Sequence, residues 1–190
     1  MHEDWTDEAL MCAYRDGDPQ AFEVLFGRHR AALYRYLLRQ SSAGIAEELS
    51  QDCWMKVIGA RTHYEVSAKF TTWLYRIAHN RLIDHFRSKD HAALASYDDG
   101  AVLEAVLLAV PDAPAREPRA QLENTRLAAR LAAALEALPA SQREAFLLQY
   151  EGELSVEEIA NATGVGRETA KSRLRYALSS LRQALQDDKP

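Results

Sequence analysis

SVEEIANATGVGRETAKSRLRYAL, Ser155 to Leu178, reads as two short helices joined by a tight turn, the second of them basic. Ser155 is placed to cap the first helix, and Glu158 follows three residues later, the pattern of a capping box. Ile159 and Ala160 turn inward. Gly164 can take the left-handed backbone that ends a helix, and Val165 plugs the turn. Gly166 is an acceptable start for the next helix. There, Ala170, Leu174, Ala177, Leu178 and Leu181 recur at helical spacing and face inward. Arg167, Lys171 and Arg175 fall at i, i+4 and i+8 and share the outer face. A small-residue contact behind and a cationic face in front suit a helix that enters a DNA major groove. The plainer alternative is an amphipathic hairpin with a solvated face.

The 190 residues suffice for one domain or two small ones. Ala, Leu, Arg and Glu dominate and strand-like alternation is scarce, so the expected fold is all-α: two small helical domains, a linker, and a helix-turn-helix at the C-terminal end. Met1 is followed by acidic residues, not by a basic stretch and an apolar core, so no signal peptide is expected. The longest apolar run, Ala101 to Val110, contains Glu104 and is too short to span a bilayer. A cytoplasmic protein without direct membrane insertion is expected. Cys12 and Cys53 form no CxxC pair and read as reduced, at least partly buried thiols. The histidines lack zinc-site spacing; His79 and His85 read as facing solvent or DNA. No metal and no cofactor is implied.

The net charge of −5 is unusual for a DNA binder, but the charges are unevenly distributed. Between Lys69 and Lys89 the cations are Lys69, Arg76, Arg81, Arg87 and Lys89, against Asp84 alone. Between Arg167 and Arg182 they are Arg167, Lys171, Arg173, Arg175 and Arg182, against Glu168 alone. The N-terminus is acidic: Glu3, Asp4, Asp7, Glu8, Asp16, Asp18 and Glu23 face only Arg15. Affinity for DNA comes largely from phosphate neutralisation. Two basic surfaces on an acidic body therefore predict weak binding by the free chain.

Four segments are expected: an acidic one at 1–18, a helical domain at 19–90, an acidic Pro-containing linker at 91–125, and the helix-turn-helix domain at 126–186. Asp18 and Pro19 open a helix to about Arg39. Further helices cover Ala46 to Ile58 and Thr71 to Lys89, with a loop from Gly59 to Phe70. Helix resumes near Arg119, and Ser141 with Glu144 reads as a second capping box.

On the Thr71 to Lys89 helix, Leu74, Ala78 and Leu82 share one face, while Trp73, Arg76, Asn80 and Arg87 gather on the other side. Cations hold phosphates, an amide reads a base edge, and an indole stacks on an unpaired base. The alternative packs Trp73 into the core and leaves the arginines merely solvated. On the preceding helix, Glu47, Glu48 and Asp52 surround Gln51. Such a face is either solvated or a docking site for a basic protein.

The ordered set AEELSQDCWMKVI, FTTWLYRIAHNRLIDHFR and LEALPASQREAFLLQYEGELSVEEIANATGVGRETAKSRLRYALSSLR resembles the sigma-70 family of bacterial transcription initiation factors. Its shortness resembles the extracytoplasmic function (ECF) branch. The resemblance implies a promoter-specificity subunit with no catalytic activity. It implies core RNA polymerase and promoter DNA as partners, and commonly an anti-sigma factor. Glu48, Gln51 and Asp52 would dock on core polymerase. His63, Tyr64, Trp73, Arg76, Asn80 and Arg87 would recognise and open the −10 element, with the loop Arg61 to Ala68 holding a flipped base. Arg167, Glu168, Thr169, Lys171, Ser172 and Arg175 would read the −35 element. Where the family has Gly-Thr-Val before the lysine, this chain has Glu168, Thr169 and Ala170. Glu168 thus brings a carboxylate close to DNA, suited to accept from a cytosine amino group. The competing readings are a free-standing helix-turn-helix regulator, which would leave the Thr71 to Lys89 face unused, and a helical adaptor that binds only proteins.

Overall fold

The computed structural model describes residues 2, 4–89 and 118–186, and every regular element among them is helical. The helices are α1 (Asp7–Arg15), α2 (Pro19–Leu38), α3 (Ala43–Gly59), α4 (Phe70–Lys89), α5 (Pro118–Glu136), α6 (Ala140–Tyr150), α7 (Val156–Thr163) and α8 (Arg167–Gln186). The expected linker lies outside the described residues up to 117. From Pro118 onward the chain is α5, matching the helix expected to resume near Arg119, so this helix begins inside the segment 91–125 assigned to the linker. Among the described residues, no helix is long and apolar enough to cross a membrane.

The first eighteen residues are not a separate acidic segment. Thr6 caps α1 by accepting from Ala9 N, and Leu10 and Met11 are fully buried against α2. The acids point to structural tasks. Asp7 takes Arg28 at 2.7 Å and His29 at 2.6 Å. Burial opposes ionisation of Asp7, but these two partners outweigh it and hold its carboxyl below the usual range. Glu8 accepts from the backbone N–H of Phe70 at 2.7 Å, satisfying a free donor at the start of α4. Asp18 caps α2 through Gln20 N, with Pro19 in the first turn. Cys53 is buried, which pushes its thiol up to about 12, and Cys12 is half-buried.

The capping box at the head of α7 is present, with Glu158 N donating to Ser155 Oγ and Ser155 N to Glu158 Oε2. Gly164 ends α7 at φ 68°, the left-handed conformation that a glycine adopts without steric cost. The second expected capping box does not form. The N-cap of α6 is Pro139 and no side chain bonds there. Glu144 is instead drawn away by His79 and Tyr36.

The two helical units are packed together. One apolar core runs from Leu10 and Leu25 through Leu74 and Tyr75 to Leu148, Ile159 and Leu174. Helix α4 packs on α7, and α7 on α8. A smaller cluster, Leu135, Leu138, Ala177 and Leu181, joins α5 to α8. Leu178, expected inward, is 39% exposed, one position off the stripe that meets α5.

Candidate nucleic-acid and polymerase interfaces

Helix α8 is seated by Ala170 and Leu174, both buried, with Val165 packed beneath the turn. This leaves Arg167, Glu168, Thr169, Lys171 and Arg175 exposed, while Ser172 is half-buried. The Glu168 carboxylate lies 3.4 Å from Arg167 Nη1 and 3.9 Å from Lys171 Nζ. One acid therefore sits among the cations of the first turns, where the helix dipole also favours it. The Arg175 guanidinium lies 4.9 Å from the ring centre of Tyr176, which is 52% exposed. The sequence reading missed Tyr176; its signal was an aromatic next to an outward-facing cation.

Helix α4 exposes Arg76, Asn80 and Arg87 as expected. Trp73 is half-buried, between the two alternatives. Its ring lies 5.2 Å from that of Tyr64 and 5.9 Å from that of Phe70. Tyr64, expected to contact a base, is buried beneath it. Its apolar ring fills the gap between α4 and the 3-10 turn Arg61–His63 that stands where a loop was expected. Burial, and then the nearby Glu8, pushes its phenol up to about 12. Tyr64 therefore supports the indole from below. His63 is exposed beside Thr62, at 3.0 Å. The segment Glu65 to Lys69 is exposed as well, and its Ser67, Ala68 and Lys69 share an open cleft with Gly152 and Glu153.

His79 departs from the reading that faced it to solvent or DNA. Its side chain is 12% exposed and its Nδ1 lies 2.7 Å from Glu144 Oε1. Helix α4 has a third face, formed by Tyr75 and His79, that is covered by the C-terminal unit.

On α3, Glu47, Glu48, Gln51 and Asp52 are all exposed. Beside them Met55 is 64% exposed and Ile58 38% exposed. A shallow groove runs here, lined by Phe26, Arg30, Ser50, Gln51, Trp54 and Met55. Trp54 meets Phe22 and Phe26 edge-on, at 5.9 and 5.0 Å between ring centres. The face thus combines a carboxylate rim with an apolar centre, the anatomy of a protein-docking patch. Met55 was missed, although it continues the Glu48–Gln51 line by four more residues.

The region 2 model of sigma-70 factors matches residues 25–92, and the region 4 model matches residues 128–181. The chain belongs to the sigma-70 family. Its relatives place it in the ECF branch, as a sigma subunit of RNA polymerase. It is 36% identical over 184 residues to the ECF sigma factor RpoE of Cereibacter sphaeroides, covering 95% of this chain and 94% of that one. It is 33% identical to the sigma factor CarQ of Myxococcus xanthus, covering 90% and 93%. Among solved structures, RpoE of Bartonella quintana in complex with the anti-sigma factor NepR aligns with a TM-score of 0.66 at 25% identity. That match covers 90% of this chain and 99% of the other. CnrH in complex with the cytosolic domain of CnrY shares the fold, with a TM-score of 0.64 at 21% identity, covering 96% and 99%.

Proposed function

We propose that this chain confers promoter specificity on core polymerase through three separate surfaces and performs no chemistry itself. The acidic and apolar face of α3, with Glu48, Gln51 and Asp52 around Met55, docks on a basic surface of core enzyme. Arg76, Asn80 and Arg87 on α4, with Trp73 and His63, hold the −10 element and capture its unpaired bases. Tyr64 is dropped from that set as a base contact. Arg167, Glu168, Thr169, Lys171, Ser172 and Arg175 on α8 read the −35 duplex. Glu168 is repelled by phosphate, so a favourable place for it is a base edge bearing an amino group, cytosine above all. The observation that carries this reading is the exposure of two separate cationic helix faces beside a distinct acidic docking face. A free-standing regulator has no use for the second and third of these. An anti-sigma factor is the expected negative partner, by likeness to the Bartonella RpoE–NepR complex.

The test is transcription with purified core polymerase. Core plus this chain should initiate at promoters that neither supports alone, and the chain should co-purify with core. The free chain, with its net charge of −5, should bind duplex promoter weakly. Tight sequence-specific binding without core at moderate salt, with no co-purification, would favour the free-standing regulator.

A further inference from the structure

Arg175 stands apart from the other cations on the outer face of α8. Arg167 and Lys171 have the Glu168 carboxylate at 3.4 and 3.9 Å. Among the described residues Arg175 has no ion-pair partner, and its guanidinium lies instead 4.9 Å from the centre of the Tyr176 ring. Adjacent helical residues point about 100° apart, so the backbone does not force this contact and the arginine stem must bend to make it. Tyr176 is 52% exposed and belongs to neither apolar cluster, whereas Leu174 and Ala177 beside it are buried and seat the helix. The ring therefore adds little to the fold, and its partner is the guanidinium.

We infer that Tyr176 is a positioning residue: its ring holds the Arg175 guanidinium as a fork that reads a guanine in the −35 duplex. The inference rests on the −35 reading of α8 above. Seven residues at 3.6 per turn bring Arg175 to within about 20° of Glu168, on the line of the helix opposite the buried Ala170 and Ala177. Side chains on that line meet base edges. Lys171 is turned about 60° from Glu168 towards one wall of the groove, where the phosphates lie. Tyr176 is turned about 80° to the opposite side, so its ring flanks the guanidinium and leaves the line towards DNA open.

Guanine is the base that fits such a fork. It offers O6 and N7, two acceptors that a guanidinium meets bidentately, and both N–H groups must then be aimed in one plane. A free arginine samples many rotamers and loses that freedom on binding; one already resting on a ring has fewer to lose. Without the ring, the same charge settles equally well on a phosphate, which carries no sequence information. The spacing also sets a register. Seven residues span about 10 Å of helix, or about three base pairs at 3.4 Å each. The guanine read by Arg175 should lie about three pairs from the base read by Glu168.

The test is competition binding by holoenzyme on duplexes randomised across the −35 element, at several salt concentrations. Wild type should prefer guanine about five- to 150-fold at one position. Tyr176→Ala should reduce that preference about two- to fivefold, the worth of an exposed cation–ring contact, and leave the salt slope unchanged because no charge is lost. Tyr176→Phe keeps the ring and should keep the preference. Arg175→Lys keeps the charge without the fork and should abolish the preference. Adding Tyr176→Ala to Arg175→Lys should then cost nothing more, since the ring acts only through the fork. Each variant should match wild type in a urea melt. A guanine preference intact in Tyr176→Ala overturns the inference, as does Tyr176→Phe failing like alanine. So do a lowered melt in Tyr176→Ala, a uniform loss of affinity for all sequences, and a wild-type preference that includes no guanine. In each of these cases the −35 reading stands, because wild type still discriminates; a wild type without any −35 preference overturns both.

Discussion

Replacing Glu168 separates base reading from charge on the recognition helix. Its contacts to Arg167 and Lys171 are 3.4 and 3.9 Å long, and all three side chains are at least 60% exposed. Exposed pairs of this kind contribute about 0–1 kcal/mol, so Glu168→Gln and Glu168→Ala should leave the unfolding midpoint nearly unmoved. The DNA effect should be larger. A well-placed contact to a base edge discriminates by about 1–3 kcal/mol, roughly five- to 150-fold. Glu168→Ala should lose that preference at one position of the −35 element and keep it at the others. The same change removes a negative charge beside phosphates and frees Arg167 and Lys171. Overall affinity should therefore rise while selectivity falls, and the slope of log K against log salt should steepen by up to about one counterion. Glu168→Gln keeps an acceptor oxygen and adds a donor, so preference should shift from cytosine toward adenine. The assay is competition binding by holoenzyme on a library randomised across the −35 element, at several salt concentrations. Base preferences unchanged at every position in both variants would show that Glu168 touches no base.

Three further outcomes follow from the packing. Trp73→Ala removes a half-buried indole from Tyr64 and Phe70, so it should cost about 2 kcal/mol in a urea melt, below the 3–5 of a fully buried aromatic. It should also slow strand opening in permanganate footprinting, with rescue on a pre-melted bubble; equal defects on duplex and bubble would make Trp73 purely structural. Glu48→Lys with Asp52→Lys should weaken core binding by about 1–3 kcal/mol per lost contact while stability stays within about 0.5 kcal/mol, and unchanged affinity in the folded protein would remove α3 as the docking face. Ser155→Ala should cost about 1 kcal/mol of stability through loss of the cap, whereas Ser141→Ala should cost little because Ser141 caps nothing; a reversed order in denaturant melts would contradict the observed caps.

The contrast between Ser155 and Ser141 shows where local sequence stops being informative. Both begin the pattern Ser-x-x-Glu. At Ser155 the glutamate returns to its own helix, although it also reaches Lys69 at 2.9 Å. At Ser141 the glutamate is taken by Tyr36 and His79, more than sixty residues away in sequence. No local rule contains that competitor. Helix α4 fails for a related reason. Periodicity divides a helix into an inside and an outside, but α4 has three faces. Leu74, Ala78 and Leu82 meet its own unit, Tyr75 and His79 meet the other, and Arg76, Asn80 and Arg87 meet solvent. The third partner was invisible, so His79 was sent outward. The recognition hairpin, by contrast, was legible almost residue by residue, because its determinants are local: one cap, one left-handed glycine, and an alanine and a leucine one turn apart. Helix α1 had the signal as well, in Thr6 followed by Leu10, Met11 and Tyr14, but the density of acids obscured it.

Those acids also explain how a chain of net charge −5 presents cationic surfaces. Asp7, Glu8, Asp18, Glu144, Glu151 and Glu158 are occupied by caps, arginines, histidines and a lysine, most of them at or between packed helices. Their carboxylates are engaged locally, by arginines, a lysine, histidine rings, a tyrosine or backbone N–H groups. The unmatched acids of the docking region lie on one side of α3, at Glu47, Glu48 and Asp52, while Arg76, Arg87, Lys171 and Arg175 face solvent on other helices. Formal charge sums these as though they cancelled. Electrostatic complementarity acts through each patch, steering an acidic face to a basic protein and cationic faces to DNA.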